Sequence, residues 1–393
     1  MGIKKHSALR RKRYSITVKG INNCSGSCSY CVAASTDMYK LGINHKSILQ
    51  ECERLNKLTY AQSQFDFEAL EAKLLYNIDK YDVLSFDLWG GDPLTSFDAT
   101  CEVVYFIEDF CERHNKKHYI STSTNGLPLL NDNIISFCKE HNVHIQLSHD
   151  GLGQKYRTGK VDPLDFPTVR QAIKDGILST INCTLTYDNN SPLDNIKYFN
   201  SKLEEIFPDV YSNDKMASEA ESNVWSKFQI KLNHIYDGQY DNYDPTLRGR
   251  ALDDYIHEWA ILFNILHTPY IDNTYYHPYA RYIKNQASRG TDINDNRQNP
   301  CRKFQVGLSN ISEHLNTLGE YTDCNLVDKV PNRDNIKPDY CKGCKYENSG
   351  ECNMCGMLFK KESGCDYFYR WNQLLEEVRH RDSLTRRNKC RKL

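Results

Sequence analysis

The sequence predicts an α/β protein, a partial (β/α)6 TIM-like barrel followed by a small cysteine-rich domain. Three observations carry this prediction. Strand-like and helix-like segments alternate through roughly the first 235 residues of 393, the pattern of βαβ units. The alternation gives about six units, short of the eight that close a TIM barrel. Ten of the sixteen cysteines fall into two spaced groups, one near the start and one after residue 300.

The elements follow in order. Ser15–Ile21 reads as the first strand and runs into a cysteine loop. Phe67, Leu70, Leu74 and Ile78 recur at helical spacing. Val83–Leu88 is the second strand and ends in Trp-Gly-Gly-Asp-Pro; a helix over Cys101–His114 follows, with Val104, Ile107 and Cys111 on one face. Strand His118–Thr122, helix Asn133–Glu140 and strand Val143–Ser148 come next. Helix Thr168–Asp175 stops at Gly176, a C-cap residue. Strand Thr180–Thr186, helix Leu193–Ile206 and strand Phe228–Ile235 complete the series. The predicted boundaries are a barrel over 1–235, a bridging segment over 236–300 with one clear helix at Leu252–Leu266, a cysteine-rich domain over 301–370 and a basic tail over 371–393.

Composition narrows the function classes. With 39% hydrophobic and 26% charged residues the chain reads as globular, and no apolar run is long enough to cross a membrane. Fifty basic and fifty-one acidic side chains give a net charge of −1, so nucleic-acid binding is not indicated. The basic start, with Lys4, Lys5 and Arg10 to Arg13, lacks the apolar core of a secretory signal, and His6 breaks a myristoylation motif. The expected location is cytoplasmic. Sixteen cysteines in such a protein point to metal ligation rather than disulfides. Of the six solitary ones, Cys111 and Cys138 fall on apolar helical faces and are expected in the core.

The first cysteine group, Cys24-Ser-Gly-Ser-Cys28-Ser-Tyr-Cys31, has the spacing C-x3-C-x2-C. Three thiolates on one tight loop can hold three irons of a cubane [4Fe-4S] cluster and leave the fourth open to a small molecule; they could equally be part of a zinc site. Ligands of parallel α/β sheets sit at the carboxyl ends of the strands. The cysteine loop lies at such an end, as do Gly90-Gly91-Asp92-Pro93, Ser123-Thr124-Asn125-Gly126 and Ser148-His149-Asp150-Gly151. One mouth therefore collects four polar motifs. Taken singly, the last three are ordinary turn signals.

In this order the motifs resemble the core of the radical S-adenosylmethionine (radical SAM) superfamily. The resemblance implies that Cys24, Cys28 and Cys31 hold a [4Fe-4S] cluster whose open iron binds SAM, which is cleaved to a 5'-deoxyadenosyl radical. It implies that Gly90, Gly91 and Asp92 receive the SAM amino group, with Asp in place of the family's Glu. Ser123 and Asn125 would contact its carboxylate and ribose, and Ser148 and Asp150 would complete the adenosine or substrate pocket. His149 and Tyr156 are candidates for a substrate pocket, with packing or exposure as the plain alternative.

The second group runs Cys301-x17-Gly319-x4-Cys324, then Cys341-x2-Cys344-x7-Cys352-x2-Cys355, then Cys365. Cys341 to Cys355 alone would suit a zinc ribbon. The whole set resembles the SPASM extension of radical SAM enzymes, which implies two auxiliary [4Fe-4S] clusters and three in all. Carried over by position, Cys341, Cys344, Cys352 and Cys365 would hold the outer one, and Cys301, Cys324 and Cys355 the inner one. Residues 291–300 contain no cysteine, so Asp292, Asp295 or solvent are the candidates for a fourth inner ligand.

The implied activity is modification of a peptide or protein substrate, by crosslink, thioether or oxidation, with a flavodoxin- or ferredoxin-type reducing partner. A recognition domain ahead of the barrel is not expected, because Cys24 comes so early. Anaerobic sulfatase-maturing enzymes are similar in these respects, but their Asp after the G-x4-C cysteine is Asn325 here, an amide that cannot act as a base. The alternatives are small-molecule radical chemistry on a sugar, nucleoside or amino acid, and a non-enzymatic zinc-bearing module.

Overall fold

The computed structural model describes residues 13–21, 24–26, 28, 48–62, 65–76, 78–158, 161–185, 191–211, 228–234, 252–266, 311–315, 321–322, 373–374, 377 and 380. Its strands are β1 (Arg13–Ile21), β2 (Val83–Gly90), β3 (Lys117–Thr124), β4 (Val143–Ser148), β5 (Leu178–Leu185), β6 (Gln229–His234), β7 (Ile311–Leu315) and β8 (Tyr321–Thr322). They form one sheet in the order β6-β5-β4-β3-β2-β1-β7-β8. From β1 to β6 each strand pairs in parallel with the next in sequence. The far side of β1 is taken by β7, also parallel, so the six-stranded barrel stays open.

The helices are α1 (Ile48–Gln62), α2 (Phe67–Leu75), α3 (Phe97–Arg113), α4 (Asp132–Glu140), α5 (Lys155–Thr158), α6 (Pro167–Lys174), α7 (Pro192–Ile206), α8 (Pro208–Tyr211) and α9 (Leu252–Leu266). Their ends follow local chemistry. Asp66 caps α2 by accepting from Ala69 N at 2.9 Å. Ser191 caps α7 by accepting from Asp194 N at 3.1 Å, with Pro192 in the first turn. Helix α6 closes on Gly176 at φ +75°, and α3 and α4 each close through a left-handed asparagine, Asn115 and Asn142.

The strands alternate between two faces. One face carries Tyr14, Ile16 and Val18, Leu84, Phe86 and Leu88, and Val143, Ile145 and Leu147, all at most 7% exposed. The helices cover it, with Val103, Val104, Ile107 and Phe110 of α3 in the same core. Each such side chain stabilises the fold by roughly 1.5–3 kcal/mol. Cys111 and Cys138 lie in this core as expected, and Cys183 joins them.

The other face lines the barrel interior and is polar. Ser121 Oγ donates to Asp87 Oδ1 at 2.9 Å, and Asn182 Nδ2 and Lys231 Nζ donate to Gln146 Oε1 at 3.1 and 3.5 Å. Closed TIM barrels instead fill this space with layers of branched apolar side chains.

Three elements add to the sequence reading. Helix α1 was not anticipated; its described apolar contribution to the core is narrow, with Leu55 fully buried. Helix α9 matches its expected bounds and brings Trp259 and Leu262 into the barrel core, so this part of the 236–300 segment packs as a sixth barrel helix. Strand β7, from the 301–370 segment, extends the barrel sheet, and its Ser-Glu-His centre hid it from the hydrophobic pattern. Leu374, from the 371–393 segment, lies in the same core. Among the described residues no helix is long and apolar enough to cross a membrane.

Candidate active site

The four motifs meet at the carboxyl ends of β1 to β4. Cys24 and Cys28 follow β1 on one short loop; Cys24 is partly buried and Cys28 is 7% exposed. The Cys24 sulfur accepts two N–H groups, from the Gly26 backbone at 3.2 Å and from Asn125 Nδ2 at 3.6 Å. Asn125 Nδ2 also donates to Ser25 Oγ at 2.8 Å. The Ser-Thr-Asn-Gly motif is thus in direct contact with the cysteine loop. Cys31 lies outside the described residues, and among those described no group of three or more His, Cys, Asp or Glu converges on a metal position.

Asp92 is 1% exposed, and its carboxylate faces inward. It accepts from Leu94 N at 3.2 Å, from Thr124 Oγ1 at 3.0 Å and from Asn125 N at 2.8 Å. It therefore ties the end of β2 to the end of β3. Burial pushes its carboxyl up to about 6, against the pull of these donors. The side chain drawn from the resemblance as a ligand for the SAM amino group is engaged by three protein donors. Gly90 and Gly91 beside it are half-buried.

Asp150 is fully buried and held by a fork from Arg157, with Nε to Oδ2 and Nη2 to Oδ1 both at 3.3 Å. Thr184 N also donates to Oδ1, at 3.1 Å, which ties β5 to the same group. Burial raises the Asp150 carboxyl, and the guanidinium opposes that rise. Burial likewise opposes the charge on Arg157, but Asp150, Cys28 and Cys24 together hold it above its ordinary value. Arg157 therefore lies in the field of both described cysteines. Ser123 and Ser148 sit on the half-buried inner face at the ends of β3 and β4.

His149 turns the other way. The Gly151 N–H donates to its Nδ1 at 3.0 Å, which leaves the proton on Nε2, 2.8 Å from Asp162 Oδ1. Asp162 Oδ2 accepts from the Tyr198 hydroxyl and pairs with Lys202 Nζ at 3.3 Å. The ring is fully buried against Tyr198 and Phe199, so His149 packs the fold and does not line a substrate pocket. The side chain of Tyr156 lies outside the described residues, as do Cys301, Cys324, Cys341, Cys344, Cys352, Cys355 and Cys365.

Sequence reading missed Arg157 and the Asp162–Tyr198–Lys202 group. A lone carboxylate ending β4, with an arginine seven positions on, was the available signal for the first. Nothing in the spacing announces the second, which joins residues from 149 to 202.

An open six-stranded barrel with thiols and carboxylates at its carboxyl mouth defines the fold class, and known proteins share it. A family profile described as a 4Fe-4S single cluster domain matches residues 12–152. No curated protein matches the sequence. Among solved structures, "Native anSMEcpe with bound AdoMet" is similar at 16% identity and a TM-score of 0.57, over 93% of this chain and 99% of that one. "Native anSMEcpe with bound AdoMet and Cp18Cys peptide" is similar at 17% identity and a TM-score of 0.53, over 94% and 99%. The chain has the fold of these AdoMet-bound proteins.

Proposed function

We propose that the chain is a radical SAM enzyme that modifies a peptide or protein. The observation that carries this reading is the cysteine loop seated at the barrel mouth with N–H donors on the Cys24 sulfur, in a fold shared with AdoMet-bound structures. The donor set fits the group: soft thiolates on one loop, a buried amide on one sulfur and a half-buried cation nearby suit an iron–sulfur cluster. Cys24, Cys28 and Cys31 would hold it. When bound, cluster and SAM would supply a 5'-deoxyadenosyl radical able to take a hydrogen atom from an unreactive C–H bond.

The chain's own residues supply placement. Asp92 locks the ends of β2 and β3 together, which fixes Asn125 against the loop. The Asp150–Arg157 fork holds a cation near the end of β4, where its charge would offset that of the loop's thiolates. Held in this way, the mouth is rigid enough to aim one reactive carbon at one bond and exclude water. The peptide class is supported by the peptide in one similar structure. The second cysteine group would add two auxiliary clusters, and a flavodoxin- or ferredoxin-type protein would supply electrons. A second reading, chemistry on a small polar molecule, draws on the interior, where Asp87, Ser121, Gln146, Asn182 and Lys231 offer amide, hydroxyl and charged contacts.

The test is iron, sulfide and zinc content after anaerobic reconstitution, with SAM cleavage under dithionite, for wild type and the Cys24/Cys28/Cys31→Ala variant. About twelve irons falling to about eight, with cleavage lost, is the expected result for three four-iron clusters. Zinc without iron, or cleavage retained in the variant, would overturn the reading. Turnover of peptides against small polar substrates then separates the two substrate classes.

A further inference from the structure

We infer that Asn125 is a redox-positioning residue: its side-chain amide, locked with the nitrogen toward Cys24, raises the reduction potential of the cluster that the cysteine loop would hold. The inference rests on the iron–sulfur reading above and adds the group that sets the potential.

The orientation of the amide is dictated by its surroundings. Leu127 N donates to Asn125 Oδ1 at 2.9 Å, so the oxygen is fixed on that side. The nitrogen must then face the loop, where it donates to Ser25 Oγ at 2.8 Å and to Cys24 Sγ at 3.6 Å. A flipped amide would set its oxygen against the sulfur and its nitrogen against a donor.

The backbone beneath is held as firmly. Asn125 N donates to Asp92 Oδ2 at 2.8 Å, and Thr124 Oγ1 donates to the same oxygen at 3.0 Å. Gly126 follows at φ +89°, where an added Cβ would lie 2.6 Å from Pro163 Cβ. The turn that presents the amide is therefore packed closely against Pro163 and Leu147. Asn125 is 3% exposed, so little solvent competes for its donors.

The electrostatic consequence has a definite sign. The Cys24 sulfur receives N–H groups from both Gly26 and Asn125. Donors to a cluster thiolate favour the more negative, reduced state, and hydrogen bonds to sulfur are among the protein's levers on cluster potential. The couple is the one-electron reduction of a [4Fe-4S] cluster from 2+ to 1+. Its electron comes from the low-potential reductant of the proposed function, or from redox mediators in the measurement, and no bond forms or breaks. Gly26 lies beside the contact: a Cβ there would stand 3.4 Å from Cys24 Sγ and 3.5 Å from Asn125 Nδ2, at ordinary van der Waals distance.

The test is a mediated redox titration, followed by electron paramagnetic resonance, of reconstituted full-length protein that retains Cys24, Cys28 and Cys31. Asn125→Ala is expected to shift the midpoint of the SAM-site cluster downward. Its Fe–S(Cys) stretching bands should also move in the resonance Raman spectrum. Ser25→Ala, which removes the second acceptor but keeps the amide, is expected to leave the midpoint at or above wild type. An unchanged midpoint in cluster-loaded Asn125→Ala overturns the inference. So does an equal fall in both variants, which would mark Asn125 as a loop prop. Should Asn125→Ala hold no cluster, Asn125→Gln gives the same comparison: a shifted midpoint supports the inference and an unchanged one overturns it. Absence of any four-iron cluster from wild type fails the iron–sulfur reading itself, and the inference with it.

Discussion

Two turns at the barrel mouth look alike in sequence and behave differently in space. After β3, Asn125 and Gly126 follow a run of hydroxyls; after β4, His149, Asp150 and Gly151 follow Ser148. The first turn sends its amide straight onto the cysteine loop. The second divides: Asp150 pairs with Arg157, whose charge lies in the field of Cys24 and Cys28, while His149 is sealed by Asp162 and Tyr198. The difference teaches that a polar residue in a strand-end turn is functional or structural according to the partners that claim it, and those come from elsewhere in the chain.

The division can be broken from either side. The largest expected effect is at the Asp150–Arg157 fork. Arg157→Met would leave the fully buried Asp150 without its cation, and loss of one partner of a buried pair costs about 3–5 kcal/mol. Chemical denaturation should show that loss, and Asp150→Asn on top of Arg157→Met should recover part of it. No recovery would mean that the guanidinium serves the cysteine loop alone.

Next is Gly126→Ala. The residue sits at φ +89°, and its new Cβ would press on Pro163 Cβ at 2.6 Å and Leu147 Cδ1 at 2.7 Å. Left-handed strain and overpacking together should cost about 2–4 kcal/mol. Because the turn presents Asn125, the same variant should lower cluster occupancy after reconstitution. A stable Gly126→Ala protein with full iron content would show that the turn tolerates displacement.

A smaller effect is expected on the sealed side. Tyr198→Phe removes the hydroxyl that donates to Asp162 and should cost about 1–3 kcal/mol. Iron content and cluster potential should stay at wild type, since this group faces away from the cysteine loop. A shift in the potential would join the two halves that the geometry separates.

Much of this was legible in the chain because strands and helices announce themselves through period. Val143–Ser148 and Leu252–Leu266 match their expected bounds, and the other predicted strands differ at their ends by a few residues. The mouth was legible too, since strand ends must face one way in a parallel sheet, and Asn125, Asp92 and Cys24 do converge. What escaped depends on side-chain direction. The donors that Asp92 accepts from were not legible, because a short carboxylate reaches Thr124 and Asn125 at the end of the neighbouring strand. Arg157 escaped because its partner is fixed by a turn whose path the sequence does not state. The polar barrel interior escaped for a similar reason. Asp87, Gln146 and Lys231 are scattered along the chain, and only the fold brings them to one interior face.

The pH dependence should separate the two sides once more, by the smallest amount. Burial lowers the His149 value, so the folded state keeps the ring neutral while the unfolded chain protonates it below about 6.5. The unfolded state then binds more protons, and this contribution is present above about pH 6.5 and fades as the pH falls below it. Asp92 runs the opposite way. Its carboxyl is pushed up to about 6, so the folded state binds more protons between the unfolded value of about 4 and 6. That contribution is full at low pH and is lost as the pH rises through about 6. Each group changes stability by at most about 1.4 kcal/mol per pH unit inside its own window. Denaturant midpoints from pH 5 to pH 7.5 should therefore part for two variants. Relative to wild type, His149→Gln should remove stability lost on acidification, and Asp92→Asn should remove stability gained. The same change of slope in both variants would mean that the two sides of the mouth titrate as one network, against the separation drawn from their hydrogen bonds.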